Sequence, residues 1–540
     1  MRTLFPILLL SLHPAAQAQF TQQGTKLVGT GASVPSSQGS SGALSADGNT
    51  AIVGSRHVGE GTFPGALWVF TRSNGAWTQQ GPELVNSGAS DPSLGVSVAL
   101  SADGNTAIAG GPFNFFVNQG IGGAWVFTRS NGVWSQQGTE LVPSDASSSA
   151  EVGLSVALSA DGNTALVGGP SDSGSAGAAW VFTRANGVWS QQGHKLVGTG
   201  ALGPASQGTG VALSADGNTA LVGGNSDDPN SLTGATWVFT RANGVWSQQG
   251  AKLVGTGASG ASSQGVSVAL SADGNTALIG GPGDTQLPSL SCSFLGSVGS
   301  VGIAAGAAWV FTRSNGVWTQ QGNKLSGTGA VVGAYQGSSV VLSGDGNTAL
   351  VGGPSDAPPG GGCNGTGATW VFTRHNGAWS QQGSKLVGTG AANDSDGGAS
   401  QKVVALSADG STALVGGATD NGNVGALWVF TEPVATRFVV SAPASATGGA
   451  AFNFTVTAQD VNHNSFPNYQ GTVHFTSTDA AAVLPADTAL INGGGDSRHR
   501  GQPDHHRHRY RERYTRRNFQ PDYGVSHGSN PALAGVCQHF

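Results

Sequence analysis

Two strings recur seven times along this chain, and a repeated unit must bury its apolar faces by stacking copy against copy. Ser-Ala-Asp-Gly-Asn-Thr, or a close variant, places an aspartate at 47, 103, 161, 216, 273, 345 and 409. Trp-Val-Phe-Thr begins at Trp68, Trp125, Trp180, Trp237, Trp309, Trp370 and Trp428. Six of these run on through Asn-Gly to a second tryptophan, at 77, 134, 189, 246, 318 and 379, and then to Gln-Gln-Gly. The two positions account for all 13 tryptophans.

Each copy reads as four strands. In the fifth, Val266–Ser271 is a short apolar strand turned by Asp273-Gly274-Asn275, and Thr276–Gly280 is continuous apolar sequence of the kind buried on both faces. A variable Gly/Ser/Pro loop follows, and then Asn315-Gly316 between two strand-like runs, the strongest short hairpin signal. No segment carries an apolar stripe at helical spacing. Four-stranded units repeated at this period indicate a β-propeller, with a linear β-solenoid as the alternative. The seventh copy stops after Trp428-Val429-Phe430-Thr431, and its missing piece stands near the N-terminus as Phe20-Thr21-Gln22-Gln23-Gly24-Thr25-Lys26-Leu27. The expected arrangement is therefore a closed ring over residues 19–432 in which the first strand completes the last blade and no sheet edge is left at the seam.

Composition narrows the class. Charged residues are only 10% of the chain and Gly numbers 89, which suits blades packed through small residues. The net charge of −6 divides into +4 over residues 496–540, with eight Arg against four Asp/Glu, and −10 elsewhere, so no nucleic-acid partner is expected for the main body. Arg2, the apolar run Leu4–Leu12 and Ala16-Gln17-Ala18 read as a secretory signal peptide over residues 1–18. No apolar run approaches the ~20 residues of a membrane span. A secreted or cell-surface monomer is expected.

With these units in view, the chain resembles the FG-GAP repeat family over about residues 20–432. The resemblance is carried by Gln264-Gly265-Val266-Ser267-Val268-Ala269-Leu270-Ser271, by Val351-Gly352-Gly353-Pro354 and by Gly-Ala-x-Trp-Val-Phe before each hairpin. It implies the seven-bladed propeller found at the head of integrin α subunits and in exported bacterial proteins, and with it a role in recognition or adhesion. Integrin-type blades hold calcium in an Asp-x-Asp-x-Asp-Gly loop, whereas each loop here offers one Asp with Gly, Asn and Thr. Calcium takes six to eight oxygens, often several from carboxylates, so the expectation is a structural turn and no cofactor, with a calcium site as the alternative that the loop sequences do not support. The sialidase Asp-box is also a poor match, because Gly follows Asp directly and no Trp follows Thr.

Catalysis on a propeller would break the repeat with unique carboxylates, His or Tyr, and the repeated strands hold no such set. A non-catalytic protein is expected; the alternative is a propeller-fold hydrolase or lyase acting on an extracellular polymer. His194 and His375 stand where other copies have Thr, Asn or Ala and read as surface. The Arg after each Trp-Val-Phe-Thr (72, 129, 184, 241, 313, 374) reads as an exposed charge at a strand end, structural because it recurs six times. Unique chemistry is confined to the loops between second and third strands: Arg56–Phe63, Phe113–Gln119, Asn225–Thr233, Gly283–Ala305, Ser355–Gly365 and Thr419–Asn423. All fall on one face, the usual binding face of a repeat protein. Phe113, Phe115 and Phe116 are the candidate ligand contacts there, for a protein or glycan partner, with folding back onto the blade edge as the competing reading. Cys292 and Cys363 lie in equivalent loops of neighbouring copies and are the candidate disulfide in an oxidising compartment, leaving Cys537 unpaired.

After Glu432 the pattern changes. Thr436–Pro443, Ala451–Asp460 and Gly471–Asp479 alternate apolar and polar residues and resemble an Ig-like domain of bacterial surface proteins, here only a part of one over residues 436–495. The fold class expected is thus all-β, a seven-bladed β-propeller followed by an incomplete Ig-like β-sandwich. Residues 496–540, rich in Arg and His, admit strand-like sequence when back-translated and read one nucleotide later. They are expected to be a frameshifted, disordered tail, with a His-rich metal tract or a basic nucleic-acid patch as the other readings.

Overall fold

Each repeat forms one four-stranded antiparallel sheet, and there are seven such sheets in the computed structural model of the chain. The structure describes residues 19–31, 36–55, 65–87, 93–113, 120–294, 297–330, 333–356, 365–391 and 401–432, and beyond these the strands 437–441, 452–459, 472–476, 488–489, 494–499 and 534–536. It divides into two units, Phe20–Glu432 and a second made of Met1–Gln19 with Pro433–Phe540.

The third blade shows how the sequence makes a sheet. Its strands are Ser155–Leu158, Thr164–Gly169, Ala178–Ala185 and Val188–Gln191. The second strand is buried along its whole length, while the fourth alternates exposed and half-buried residues at the outer rim. Val167 pairs with Trp180 and Arg184 with Trp189. Between the third and fourth strands Asn186 and Gly187 take φ of 52° and 79°, the two positive values that a type I′ turn requires.

Blades are held to each other by apolar packing and by one backbone circuit. Ile108 and Val126 of the second blade pack with Val167 and Trp180 of the third, and Val53 and Trp68 of the first with Leu414 and Val429 of the seventh. Trp237 and its six counterparts are fully buried. A Cβ on Gly198 would stand 2.0 Å from Trp237 Cδ1, so at this crossing the chain lies against the indole as glycine. First strands of successive blades touch in cyclic order, the seventh meeting the first. Beside each Asp turn one N–H donates to a carbonyl of the next blade: Ala46 to Ala102, Ala102 to Ala160, Ala160 to Ala215, Ala215 to Ala272, Ala272 to Gly344, Gly344 to Ala408, and Ala408 back to Ala46, at 2.8–3.0 Å. These seven bonds form a continuous loop.

The N-terminal strand closes the ring. Thr21 pairs with Thr431 and Gln22 with Phe430, and Leu27 bridges Leu427. Phe20 enters the core with Trp428 and Phe430, in the place a tryptophan takes elsewhere.

Among the described residues, two threonine hydroxyls sit badly in this core. The hydroxyls of Thr236 and Thr369, both fully buried, have no hydrogen-bond partner, and the equivalent residues of the other copies are Leu67, Ala124, Ala179, Ala308 and Leu427. An unsatisfied buried hydroxyl costs about 1–3 kcal/mol. Thr236→Val keeps the shape and the strand preference, and is expected to stabilise the protein by about 1 kcal/mol in urea unfolding.

One expected loop proves to be ordered differently. Gly283–Ala305 contains a hairpin, Gln286–Phe294 paired with Ser297–Ala304, with Cys292 opposite Gly299. Alternating Leu, Val and Ile in a Ser/Gly-rich stretch suits a paired ribbon better than a coil. In the second unit Arg437–Ser441, Phe452–Gln459 and Gly494–His499 form one antiparallel sheet. Thr472–Thr476 pairs with Thr488–Ala489 and, in parallel, with Ala534–Val536.

Candidate recognition face

The antiparallel order gives the ring two faces of different chemistry. One carries the turns between first and second strands and the Asn-Gly hairpins. Here Asp161 accepts from Ser159 Oγ at 2.5 Å and from the Asn163 N–H at 2.9 Å through Oδ1, and from Asn163 Nδ2 at 3.0 Å through Oδ2. Burial pushes this carboxyl up, but the hydrogen bonds from Ser159 and Asn163 and the charge of Arg184 outweigh it, and Asp161 is held below the usual carboxylate range. The aspartate closes its own turn.

Arg184 is not the exposed strand-end charge expected from its position. Its Nε donates to Asn163 Oδ1 at 2.9 Å, and its Nη1 reaches Gln137 Oε1 of the preceding blade at 3.0 Å. The guanidinium lies 5.3 Å from the centroid of the Trp189 ring, and Trp189 Nε1 donates to the same Gln137 oxygen at 3.1 Å. Six blades repeat this tie, from Arg72 to Arg374. Second Gln, Arg and second Trp are thus one inter-blade joint, and this face is committed to holding the ring together.

The opposite face carries the loops between second and third strands and the crossovers between blades. In five blades a loop aspartate, buried, meets the lysine of Gln-Gln-Gly-x-Lys-Leu. Lys195 Nζ lies 2.6 Å from Asp172 Oδ2, Lys324 2.5 Å from Asp284 and Lys26 2.5 Å from Asp420; Lys252–Asp227 and Lys385–Asp356 complete the set. The other oxygen of Asp172 accepts the Ser147 N–H at 2.7 Å, so one carboxylate fastens the loop to both the incoming and the outgoing crossover. Burial raises Asp172, but the bonds from Lys195 and Ser147 prevail and hold it below the ordinary value. The pairing was legible: Gly-Gly-x-x-Asp occurs in the five copies whose next segment has Lys.

Blades one and two depart from this pattern at both ends. Glu83 and Glu140 replace the lysine, and loops 56–64 and 112–121 contain no aspartate. Burial pushes the Glu83 carboxyl up. Phe113 is half-buried at the start of the second of these loops, while Phe115, Phe116 and the loop Arg56–Phe63 lie outside the described residues. Cys363 and Cys537 also lie outside them, and Cys292 has a described backbone position only. His194 is fully exposed, 3.8 Å from Asp145, and His375 is exposed. Leu202 and Leu232 stand exposed at 55% and 44% on the fourth blade, a pair that the repeat pattern did not single out.

Among the described residues no three His, Cys, Asp or Glu come together as a metal site, and no helix is long and apolar enough to cross a membrane. No curated protein matches the chain. Residues 134–182 match the FG-GAP repeat family. That span runs from the fourth strand of the second blade to the third strand of the third, a passage the ring repeats all the way round. Residues 134–182 thus carry an FG-GAP repeat, one passage of a ring of seven four-stranded sheets arranged as a β-propeller.

Proposed function

We propose that this is an exported, non-catalytic recognition protein that takes a protein or glycan ligand on its loop face, centred on blades one and two. The observation that carries the reading is the contrast around that face. Five loops are fastened by the same Lys–Asp pair, while two neighbouring blades have Glu83 and Glu140 in place of the lysine, and the loop of the second opens on Phe113. A sector released from the shared structural device is free to carry a unique one, and aromatic residues are favoured at such contacts. Residues 1–18 direct export, and residues 436–495 add an Ig-like module that spaces or anchors the propeller.

The test is binding of the labelled full chain to a glycan array and a panel of extracellular matrix proteins. The double variant Glu83→Lys/Glu140→Lys is expected to lose at least about tenfold in affinity for whatever the parent retains, with its melting temperature unchanged. Val188→Lys, at an exposed site beside a hairpin of the opposite face, is expected to bind as the parent does. Loss of binding in Val188→Lys with retention in the double variant would overturn the assignment.

A further inference from the structure

On the turn face, guanidinium groups and carboxylates alternate round the ring. Arg72 sits between Asp409 and Asp47, Arg129 between Asp47 and Asp103, Arg184 between Asp103 and Asp161, and the series continues to Arg374 between Asp273 and Asp345. One interval remains, from Asp345 to Asp409, and it holds Glu432. Its backbone position is that of the arginines: the Glu432 N–H donates to Ser411 O at 2.8 Å, as the Arg184 N–H does to Asn163 O. The chemistry is inverted. Gln137 turns its oxygen to Arg184, whereas Gln382 turns its amide nitrogen to Glu432 Oε1 at 3.0 Å. Thr348, whose counterparts are buried, is half-buried here.

The same blade has the least secure fourth strand. Thr21 and Gln22 make two register pairs where the other fourth strands make four. No hairpin joins this strand to its neighbour, and Phe20 offers neither an indole N–H nor a stacked guanidinium.

We propose that ring closure is proton-linked: the N-terminal clasp strand is seated while Glu432 is neutral, and ionisation of Glu432 loosens residues 20–28 from the seventh blade. The groups facing this carboxyl are Asp409, from the turn of its own blade, and the Gln382 amide, from the sixth. Arg72 is engaged with Asn49, Gln23 and Thr412, and Arg374 with Asn347, Gln321 and Thr276. Neither forms an ion pair with Glu432 among the described residues. Burial pushes Glu432 up, the Gln382 bond opposes this, and Asp409 adds to the rise. The sign follows. A carboxyl raised in the folded state gives stability that is complete below its ordinary value of about 4.3 and is lost as pH rises through the folded value. The turn aspartates Asp47, Asp103, Asp161, Asp216, Asp273 and Asp345, held low, respond in the opposite direction and weaken as pH falls.

The experiment is hydrogen–deuterium exchange on the full chain at about pH 5 and about pH 8, corrected for intrinsic chemistry, with the six hairpin-linked fourth strands as internal references. Protection of residues 20–28 relative to those references is expected to fall at the higher pH, by about twofold or more. Glu432→Gln is expected to abolish that pH dependence. Glu432→Arg combined with Phe20→Trp removes the carboxyl by a second route and is expected to give the clasp equal protection at both pH values. Equal relative protection of the parent clasp at the two pH values would overturn the proposal, as would an unchanged pH dependence in either variant.

Discussion

Deleting residues 19–28 is expected to make the chain aggregate and to lower its melting temperature sharply. The deletion removes the strand that pairs with Thr431 and Phe430, and so leaves the third strand of the seventh blade with an unpaired backbone edge. It also takes Phe20 from a cluster in which it is 4% exposed. Loss of a buried phenylalanine alone costs about 3–5 kcal/mol. Size-exclusion chromatography with thermal unfolding reads both effects. A truncated chain as monomeric and as stable as the parent would mean that the seventh blade does not depend on its borrowed strand.

Lys252→Met should be nearly as damaging, from a residue near the surface. Lys252 is 18% exposed, but its partner Asp227 is 3% exposed and also accepts the Leu202 N–H at 2.8 Å. Removing the cation strands a buried carboxylate, a loss of about 3–5 kcal/mol when neither partner reaches water, so the lower end is expected here. Adding Asp227→Asn removes the charge while keeping an acceptor for Leu202, and should recover most of the loss. Equal stability of the single and double variants in chemical denaturation would show that the pair contributes packing alone.

What could be read from the chain and what could not divide along physical lines. The blade count, the Asn-Gly hairpins and the completing strand Phe20–Leu27 depend on local chemistry repeated seven times, so copies correct one another. The Asp turn was legible for the same reason, since Asp161, Ser159 and Asn163 are its own donors and acceptor. The role of Arg184 was not, because its Gln137 partner lies in another blade, 47 residues away, and stands next to it only once the ring is assembled. The hairpin Gln286–Ala304 was missed because it occurs in one copy and has no sibling to compare with. At the candidate face the contrast was present in the letters: Gly-Gly-x-x-Asp with Lys in five copies, Glu83 and Glu140 in two. It takes the buried Asp172 and Asp227 to show that the five-copy pattern is a Lys–Asp fastener.

The circuit of backbone hydrogen bonds through Ala46, Ala102, Ala160, Ala215, Ala272, Gly344 and Ala408 has a mechanical consequence. A linear repeat array has terminal copies with one neighbour each, and it unravels inwards from them. Here every turn is both donor to one neighbour and acceptor from the other, so the array has no terminal copy. Strain applied at any blade is shared in both directions, as tension is shared round a barrel hoop. Thermal disruption of the first unit should therefore proceed as one cooperative event.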